Sequence, residues 1–362
     1  MVRILRGLVH KYFSDDEAVV LFLLLVVGTL SVIFFGKMLA PAIAGVIIAF
    51  ILQGLVAKLN ALGVPELASI ISVFVLFLGI LVGFLFGLLP LIWAQVASLA
   101  RETPRIFREA QAYIELLPQE YPNLFSIEQI NLVFNQLTSE AANLTQWIVS
   151  ISLSSIPDLL ALLIYMVLLP ILVFFFLKDR VFLLKSLARM LPRHRPMMNR
   201  VWSEANQQCA NYVRGKAVEI LIVGGATYFS FKLLGMPYAA LLSLLVGLSV
   251  VIPFIGAAVV TIPVAMIALF AFGWGPQFIW VMIVYGIIQT LDGNVLVPLL
   301  FSEVNNLHPV VIITAVLFFG GIWGLWGVFF AIPLATMLKA VFSAWPVKPP
   351  ESPMSDETST PL

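Results

Sequence analysis

Long apolar runs recur from one end of this chain to the other, and they constrain its fold more than any other feature. The composition agrees, since 61% of the 362 residues are hydrophobic and 11% are charged, whereas a soluble protein carries about 25% charged residues. The first run, Ala18–Phe35, is too long for the apolar part of a signal peptide and lacks a convincing cleavage site, which indicates an uncleaved membrane span. The sequence therefore predicts an all-α, polytopic helical membrane protein.

The apolar runs predict six full spans. A short polar segment, residues 1–17, precedes the first span, and a tight turn at Lys37 separates the first two. Glycines recur at every fourth position of the third span, a spacing that clears one helix face for close packing; they are Gly79, Gly83 and Gly87. Residues 18–96 hold spans one to three, and a polar tail, 346–362, ends the chain. The first five spans are Ala18–Phe35, Leu39–Val56, Leu67–Val96, Ile156–Leu177 and Ala217–Leu234.

Two polar segments predict the orientation of the chain. Residues 97–150 carry six Glu against three Arg, with apolar residues at helical spacing, which predicts a small external domain of amphipathic helices. Residues 178–216 carry nine Lys or Arg against Asp179 and Glu204, and the positive-inside rule places such a segment in the cytoplasm. Counting back through four spans then places the N-terminus in the cytoplasm as well.

The C-terminal core, residues 217–341, contains two interrupted apolar stretches. One is broken at Pro253–Gly256 and the other at Gly320–Gly327. Each arm is about 22 Å long at helical rise, which is shorter than the ~30 Å hydrocarbon core. The breaks predict two re-entrant hairpins, or a plain eight-span protein if the arms cross fully. The motifs at 260–265 and 330–335 are similar and lie 70 residues apart, which predicts an inverted repeat of the units 217–272 and 277–341.

Polar residues concentrate between Gln289 and Pro309, inside this apolar core. An ionised group at membrane depth costs at least ~2.5–3.5 kcal/mol, so it is retained where protein or water surrounds it. Interrupted helices also leave backbone groups that can bind a solute or ion. The predicted substrate or ion path comprises Asp292, Asn294, Gln289, Glu303, Asn306 and His308. The predicted broken-helix backbone comprises Pro253, Gly256, Pro298, Gly320, Gly324 and Gly327.

Structural interpretations of these residues stay open. Asp292 could instead cap the following half-helix or hydrogen-bond Gln289, and Asn294 could satisfy broken backbone. Glu303 and Asn306 could belong to a polar loop, and His308 could cap a helix. Glu219, one turn into the fifth span, is expected to reach cytoplasmic water and to pair with Lys216 or Arg214.

Several function classes lack support in the sequence. No phosphate-binding G-x-x-x-x-G-K-[ST] loop is present, which excludes ATP hydrolysis by that mechanism, and no metalloprotease or paired-acid motif indicates an enzyme. One cysteine and three scattered histidines predict neither a disulfide nor a metal site, and no cofactor is expected. The expected partners are the lipid bilayer, a small polar solute, H⁺ or Na⁺ and further copies of the chain, but no nucleic acid.

Four short motifs resemble those of a known transporter family. They are Pro253-Phe254-Ile255-Gly256, Asp292-Gly293-Asn294 with Pro298, Leu307-His308-Pro309, and Gly327 with Ile332-Pro333. Together with the early spans and the external insert, they resemble the autoinducer-2 exporter family over the whole chain. The resemblance implies a bacterial inner-membrane protein of seven or eight spans that exports a small polar signal molecule. It also implies a rival activity, because some relatives are described as sodium/proton antiporters.

The sequence thus predicts a permease that moves a small hydrophilic solute by alternating access, without ATP. The proton or sodium gradient would act at Asp292. The first alternative is a Na⁺/H⁺ antiporter, in which carboxylates bind the ion as cargo. The second is a membrane scaffold or channel-like oligomer that pumps nothing.

Overall fold

The computed structural model describes residues 16–114, 156–253, 255–301 and 307–344, and every element within them is helical. Six helices there are long and apolar enough to cross a membrane, which confirms the all-α polytopic fold. In chain order the helices are α1 (Asp16–Ala61), α2 (Glu66–Gly83), α3 (Leu89–Ile114), α4 (Ile156–Lys178), α5 (Arg180–Arg189), α6 (Pro196–Leu233), α7 (Ala239–Ser249), α8 (Ile255–Phe272), α9 (Pro276–Leu291), α10 (Val297–Phe301), α11 (Pro309–Trp323), α12 (Leu325–Phe329) and α13 (Ala331–Ala344).

The first two apolar windows lie on one continuous helix. α1 runs for 46 residues through Lys37 and Pro41, so the turn predicted at Lys37 is wrong. At a rise of 1.5 Å per residue α1 is about 69 Å long, more than twice the hydrocarbon core. Two windows on α1, Val19–Gly36 and Met38–Ala61, are each long and apolar enough to cross a membrane, so the cytoplasmic N-terminus stays a prediction.

The third span continues beyond its expected end. A π-turn, Phe84–Leu88, joins α2 to α3, and α3 runs on to Ile114 without a break at residue 97. The rest of the predicted external domain, from residue 115 to 150, lies outside the described residues. A Cβ added to Gly79, Gly83 or Gly87 would meet no atom within 4 Å. The close packing predicted for these glycines therefore has no partner within the described chain.

The chain forms two compact units, one from residues 41–180 and 213–303 and the other from residues 1–40, 181–212 and 304–362. The first unit has two apolar cores, one around Phe231, Leu242 and Val281 and the other around Val56 and Val173. The core of the other unit is smaller and packs Leu21 of α1 against Met197 and Met198 of α6. The candidate site described below lies entirely in the first unit.

Both interrupted stretches form hairpins. α7 packs against α8, and α11 packs against α12 and α13. A Cβ on Gly256 would overlap the carbonyl oxygen of Ser249, and one on Gly327 would overlap that of Phe319. Both positions therefore require glycine, because a flexible side chain could move away from an added Cβ but a backbone carbonyl cannot.

Three further predicted break residues lie at or beside these turns. The backbone of the second hairpin changes direction at Gly324, whose φ of +59° is in the left-handed region. A Cβ on Gly320 would lie 2.8 Å from Cγ2 of Val328. Pro253 lies in the turn between α7 and α8, where its carbonyl accepts a hydrogen bond of 2.7 Å from the Ile255 amide. The backbone turns at Pro253 and Gly324, whereas Gly256, Gly320 and Gly327 lie on the helices that flank these turns.

Corresponding helices of the two predicted units begin 70 residues apart. α7 begins at Ala239 and α11 at Pro309, while α8 begins at Ile255 and α12 at Leu325. In each of the two predicted repeat units a longer helical segment precedes the hairpin. This segment is α6 in the first repeat unit and α9–α10 in the second. The element order supports the repeat that the sequence predicts; its inversion stays a prediction.

Candidate functional site

A buried ion pair lies on α6 at the start of its apolar half. Lys216 is 5% exposed and Glu219 is 1% exposed, and their spacing of three residues places both on one face of the helix. Nζ of Lys216 lies 3.0 Å from Oε1 and 2.8 Å from Oε2 of Glu219. The predicted pairing of Glu219 with Lys216 is confirmed, whereas its predicted access to cytoplasmic water is wrong.

The same ammonium group reaches the broken backbone of the first hairpin. Nζ of Lys216 donates a hydrogen bond of 2.7 Å to the carbonyl oxygen of Val250, the residue after the last residue of α7. Carbonyls at the end of a helix lack an intrahelical donor, so the lysine satisfies one of them. The break and the ion pair therefore form one site.

An aromatic ring closes the site on another side. Nζ of Lys216 lies 5.2 Å from the centroid of the Phe301 ring, a cation–π distance. The ring reaches this position because Gly215 has no side chain, since a Cβ there would lie 2.6 Å from Cε1 of Phe301. Gly215 therefore lets α10 approach α6 beside the lysine.

Asp292 is the second carboxylate of the site. Its Oδ1 atom is shielded from solvent and has no hydrogen-bond partner among the described residues. The carboxylate lies close enough for its charge to act on Lys216 and Glu219. It caps no helix, and the Gln289 amide donates to Tyr285 instead. The two structural alternatives for Asp292 are therefore not formed.

A second π-turn, Asp292–Leu296, sets the direction of this carboxylate. Pro298 follows it and lacks the N–H that an α-helix would use, and its ring would clash with the carbonyl four residues earlier. The backbone widens but stays helical, so the break predicted at Pro298 is a bulge. An α-helix turns about 100° per residue, which would place Asp292 and Phe301 about 180° apart. One extra residue in the π-turn reduces the angle to about 80°, so both can face Lys216.

The charges of the site do not balance. Glu219 and Asp292 together contribute two negative charges when ionised, and Lys216 contributes one positive charge. An uncompensated carboxylate is costly where water is excluded. The arrangement therefore favours the binding of one further positive charge, either a proton on a carboxylate or a monovalent metal ion beside it.

A chain of polar side chains leads away from Asp292 along α9. Gln289, one turn earlier, donates a hydrogen bond of 3.1 Å to the hydroxyl of Tyr285. That hydroxyl lies 3.0 Å from Oγ1 of Thr261 on α8, and Oγ1 donates to the carbonyl oxygen of Ala257 at 2.7 Å. Three polar side chains thus connect the region of Asp292 to the start of α8, just after the break.

The other predicted path residues are not brought to this site. Asn294 is exposed, and its amide donates to the carbonyl oxygen of Thr290 on its own helix at 2.9 Å. His308 is exposed and caps α11, because its Nδ1 accepts a hydrogen bond of 3.3 Å from the Val310 amide. Glu303 and Asn306 lie outside the described residues. Asn294 and His308 thus adopt the structural roles that were the alternatives for them.

Sequence reasoning missed the membership of Lys216 and Glu219 in the site. A signal was present, because a Lys and a Glu three residues apart precede a long apolar run on one helix. Tyr285 and Thr261 gave no comparable signal, since single hydroxyls are common in membrane helices. Within the described residues no group of three or more His, Cys, Asp or Glu could hold a metal ion.

Comparison with known proteins identifies the family of this chain. Residues 22–347 match the family described as "AI-2E family transporter". The chain is 45% identical over 346 residues to "Putative permease PerM" of Escherichia coli (strain K12), covering 96% of this chain and 98% of that protein. It is 28% identical over 324 residues to "Putative transport protein YueF" of Bacillus subtilis (strain 168), covering 86% and 85%. The chain therefore belongs to the AI-2E family of membrane transporters.

Proposed function

We propose that this protein is a secondary transporter that exports a small hydrophilic solute across the bacterial inner membrane, without ATP. An ion gradient would drive it by acting at Asp292. The observation that carries the proposal is the shielded, unbonded Oδ1 of Asp292 beside a buried Lys216–Glu219 pair. A carboxylate in such surroundings is usually part of a transport path.

The charge imbalance suggests how binding could be coupled to movement. With Asp292 ionised the site carries a net charge of about −1, which disfavours any state that removes it from water. Binding one cation neutralises the site and lowers the cost of the enclosed state. A ligand shifts a conformational equilibrium by its difference in affinity for the two states, so alternating exposure of Asp292 to the two sides would couple the ion gradient to the solute.

The test is solute efflux from proteoliposomes that carry the purified full-length protein and are loaded with labelled autoinducer-2, the solute class that the resemblance implies. We expect Asp292→Asn to reduce efflux at least tenfold, because the amide cannot exchange a proton or hold an ion. The matched control is Asn294→Ala, two residues along the same helical segment, whose exposed side chain donates a hydrogen bond to the carbonyl oxygen of Thr290. Efflux that survives in Asp292→Asn at the wild-type rate would contradict the proposal.

A Na⁺/H⁺ antiporter is the second candidate, and the excess negative charge is the observation that favours it. In that case ion movement needs no organic solute. Empty proteoliposomes with a pH-sensitive dye inside would show Na⁺-dependent proton movement that Asp292→Asn abolishes. The exporter instead predicts solute efflux in the same preparation and no Na⁺-dependent proton movement without solute.

A further inference from the structure

The ammonium group of Lys216 occupies a position that is built like a monovalent cation site. Two carboxylate oxygens of Glu219 and one carbonyl oxygen of Val250 surround Nζ at 2.7–3.0 Å. Carboxylate and carbonyl oxygens are the ligands that hard metal ions prefer. Carbonyls of interrupted helices supply such ligands in transporters that bind Na⁺.

The lysine fills this position. Its ammonium group donates hydrogen bonds to Oε1 of Glu219 and to the carbonyl oxygen of Val250, and Oε2 of Glu219 lies 2.8 Å from Nζ as an ion-pair contact without a hydrogen bond. No hydrogen bond joins Lys216 to Oδ1 of Asp292 in the described part of the chain. The Phe301 ring covers the ammonium on a further side. A free metal ion could not share this position with the lysine.

We propose that Lys216 is a tethered cation that takes the place of Na⁺, so that the protein neither binds Na⁺ here nor needs it for transport. The part concerning transport rests on the proposed function; the part concerning binding does not. The excess negative charge then lies on Asp292, which the lysine does not bond, and a proton is the positive charge that Asp292 takes up. The titratable groups that face this carboxylate in the described chain are Lys216 and Glu219.

The test removes the tethered charge and asks whether Na⁺ replaces it. Purified wild-type protein and Lys216→Ala are heated in NaCl or in N-methylglucamine chloride at equal ionic strength. Lys216→Ala leaves two carboxylates, a free carbonyl and the space of the side chain. We expect its unfolding midpoint to rise saturably with Na⁺ by ~2 °C or more, while the wild-type midpoint stays unchanged.

Two further variants separate ion binding from repair of a damaged fold. Lys216→Met fills the space without a charge and should show a smaller response to Na⁺ than Lys216→Ala. The double variant Lys216→Ala/Glu219→Gln loses the carboxylate ligand, so the response should disappear. Recovery of Lys216→Ala only from preparations kept in Na⁺ throughout would also support the proposal.

Three outcomes would overturn the inference. A saturable rise of the wild-type midpoint with Na⁺ shows that a Na⁺ site exists beside the lysine. A folded Lys216→Ala that ignores Na⁺, or a double variant that responds like the single one, shows that these oxygens do not form a Na⁺ site. Because unfolding requires no solute, the result stands even if autoinducer-2 efflux is absent. In vesicles that do show efflux, replacing Na⁺ with N-methylglucamine should change the wild-type rate by less than twofold.

Discussion

Replacing Gly215 with Ala would insert one methyl group between α6 and the Phe301 ring. The added Cβ would lie 2.6 Å from Cε1, 3.0 Å from Cζ and 3.3 Å from Cδ1 of that ring. Carbon atoms pack at about 3.5–4.0 Å, so the ring must move by about 1 Å. Phe301 is 4% exposed, and the movement therefore disturbs a packed region and draws the ring away from Lys216.

The expected change in the free energy of unfolding is the result of two opposing effects. Overpacking a buried site costs about 1–3 kcal/mol, while Gly→Ala inside a helix stabilises it by about 1 kcal/mol. Gly225→Ala is the matched control, because it lies on the same helix and its added Cβ meets nothing within 4 Å. The helix contribution cancels between the two variants, so Gly215→Ala should be about 1–3 kcal/mol less stable than Gly225→Ala.

The measurement is the thermal unfolding midpoint of each purified variant in the same detergent. An unfolding entropy of ~2.1 cal/mol/K per residue gives about 0.8 kcal/mol per degree for 362 residues. Gly215→Ala should therefore melt about 1–4 °C below Gly225→Ala, and its solute efflux should fall while that of Gly225→Ala is kept. A Gly215→Ala protein that melts at or above the control and transports normally would refute the packing described at Lys216.

Four other substitutions or labels test separate parts of the structure. Gly256→Ala should lower the unfolding midpoint more than Gly286→Ala, because its Cβ overlaps backbone in the hairpin while a Cβ on Gly286 meets nothing; equal midpoints would contradict the hairpin geometry. Tyr285→Phe should lower the free energy of unfolding by about 1–2 kcal/mol, because it leaves the Gln289 amide without its hydrogen-bond acceptor. An unchanged thermal unfolding midpoint would show that the chain of polar side chains is not formed. His308→Asn, which keeps an N-cap, should retain wild-type efflux and its pH profile; a shifted profile would show that His308 takes part in transport. Burial raises the pKa of the Cys209 thiol, so a smaller fraction of the thiol is ionised at neutral pH. The rate of maleimide labelling should therefore still increase with pH above the ordinary thiol pKa of about 8.5. A labelling rate that reaches its plateau below that pH would contradict the burial of Cys209. With a membrane-impermeant maleimide, inverted vesicles should label and right-side-out cells should not, if residues 178–216 are cytoplasmic.

The sequence predicted the fold class and the interrupted hairpins well, because apolar length and Gly/Pro breaks are local signals. Helix packing cannot be read from such signals, and this explains the error at Lys37. A single lysine between two apolar runs resembles a turn, yet it lies on a continuous helix, α1. Glycine periodicity likewise predicted close packing for Gly79, Gly83 and Gly87, and no described residue packs there.

The site was predicted in part for the same reason. Asp292 was found because an acid in an apolar run is conspicuous in sequence. Its neighbours were not, because Lys216 precedes it by 76 positions and the arrangement of the site depends on where α7 ends and on a π-turn. Asn294 and His308 were also predicted to line the path, but Asn294 is exposed and bonds its own helix, and His308 caps the start of α11.

The widened turn at Asp292 makes the number of residues in this helix matter as much as their identity. If the turn closed to regular α-helical geometry with no residue lost, everything after it would rotate by about a quarter turn. Phe301 and Asp292 would then lie on opposite sides, although neither had been mutated. Among relatives, the arrangement around Lys216 is therefore expected to keep either the widened turn or a helix that is one residue shorter between Asp292 and Phe301.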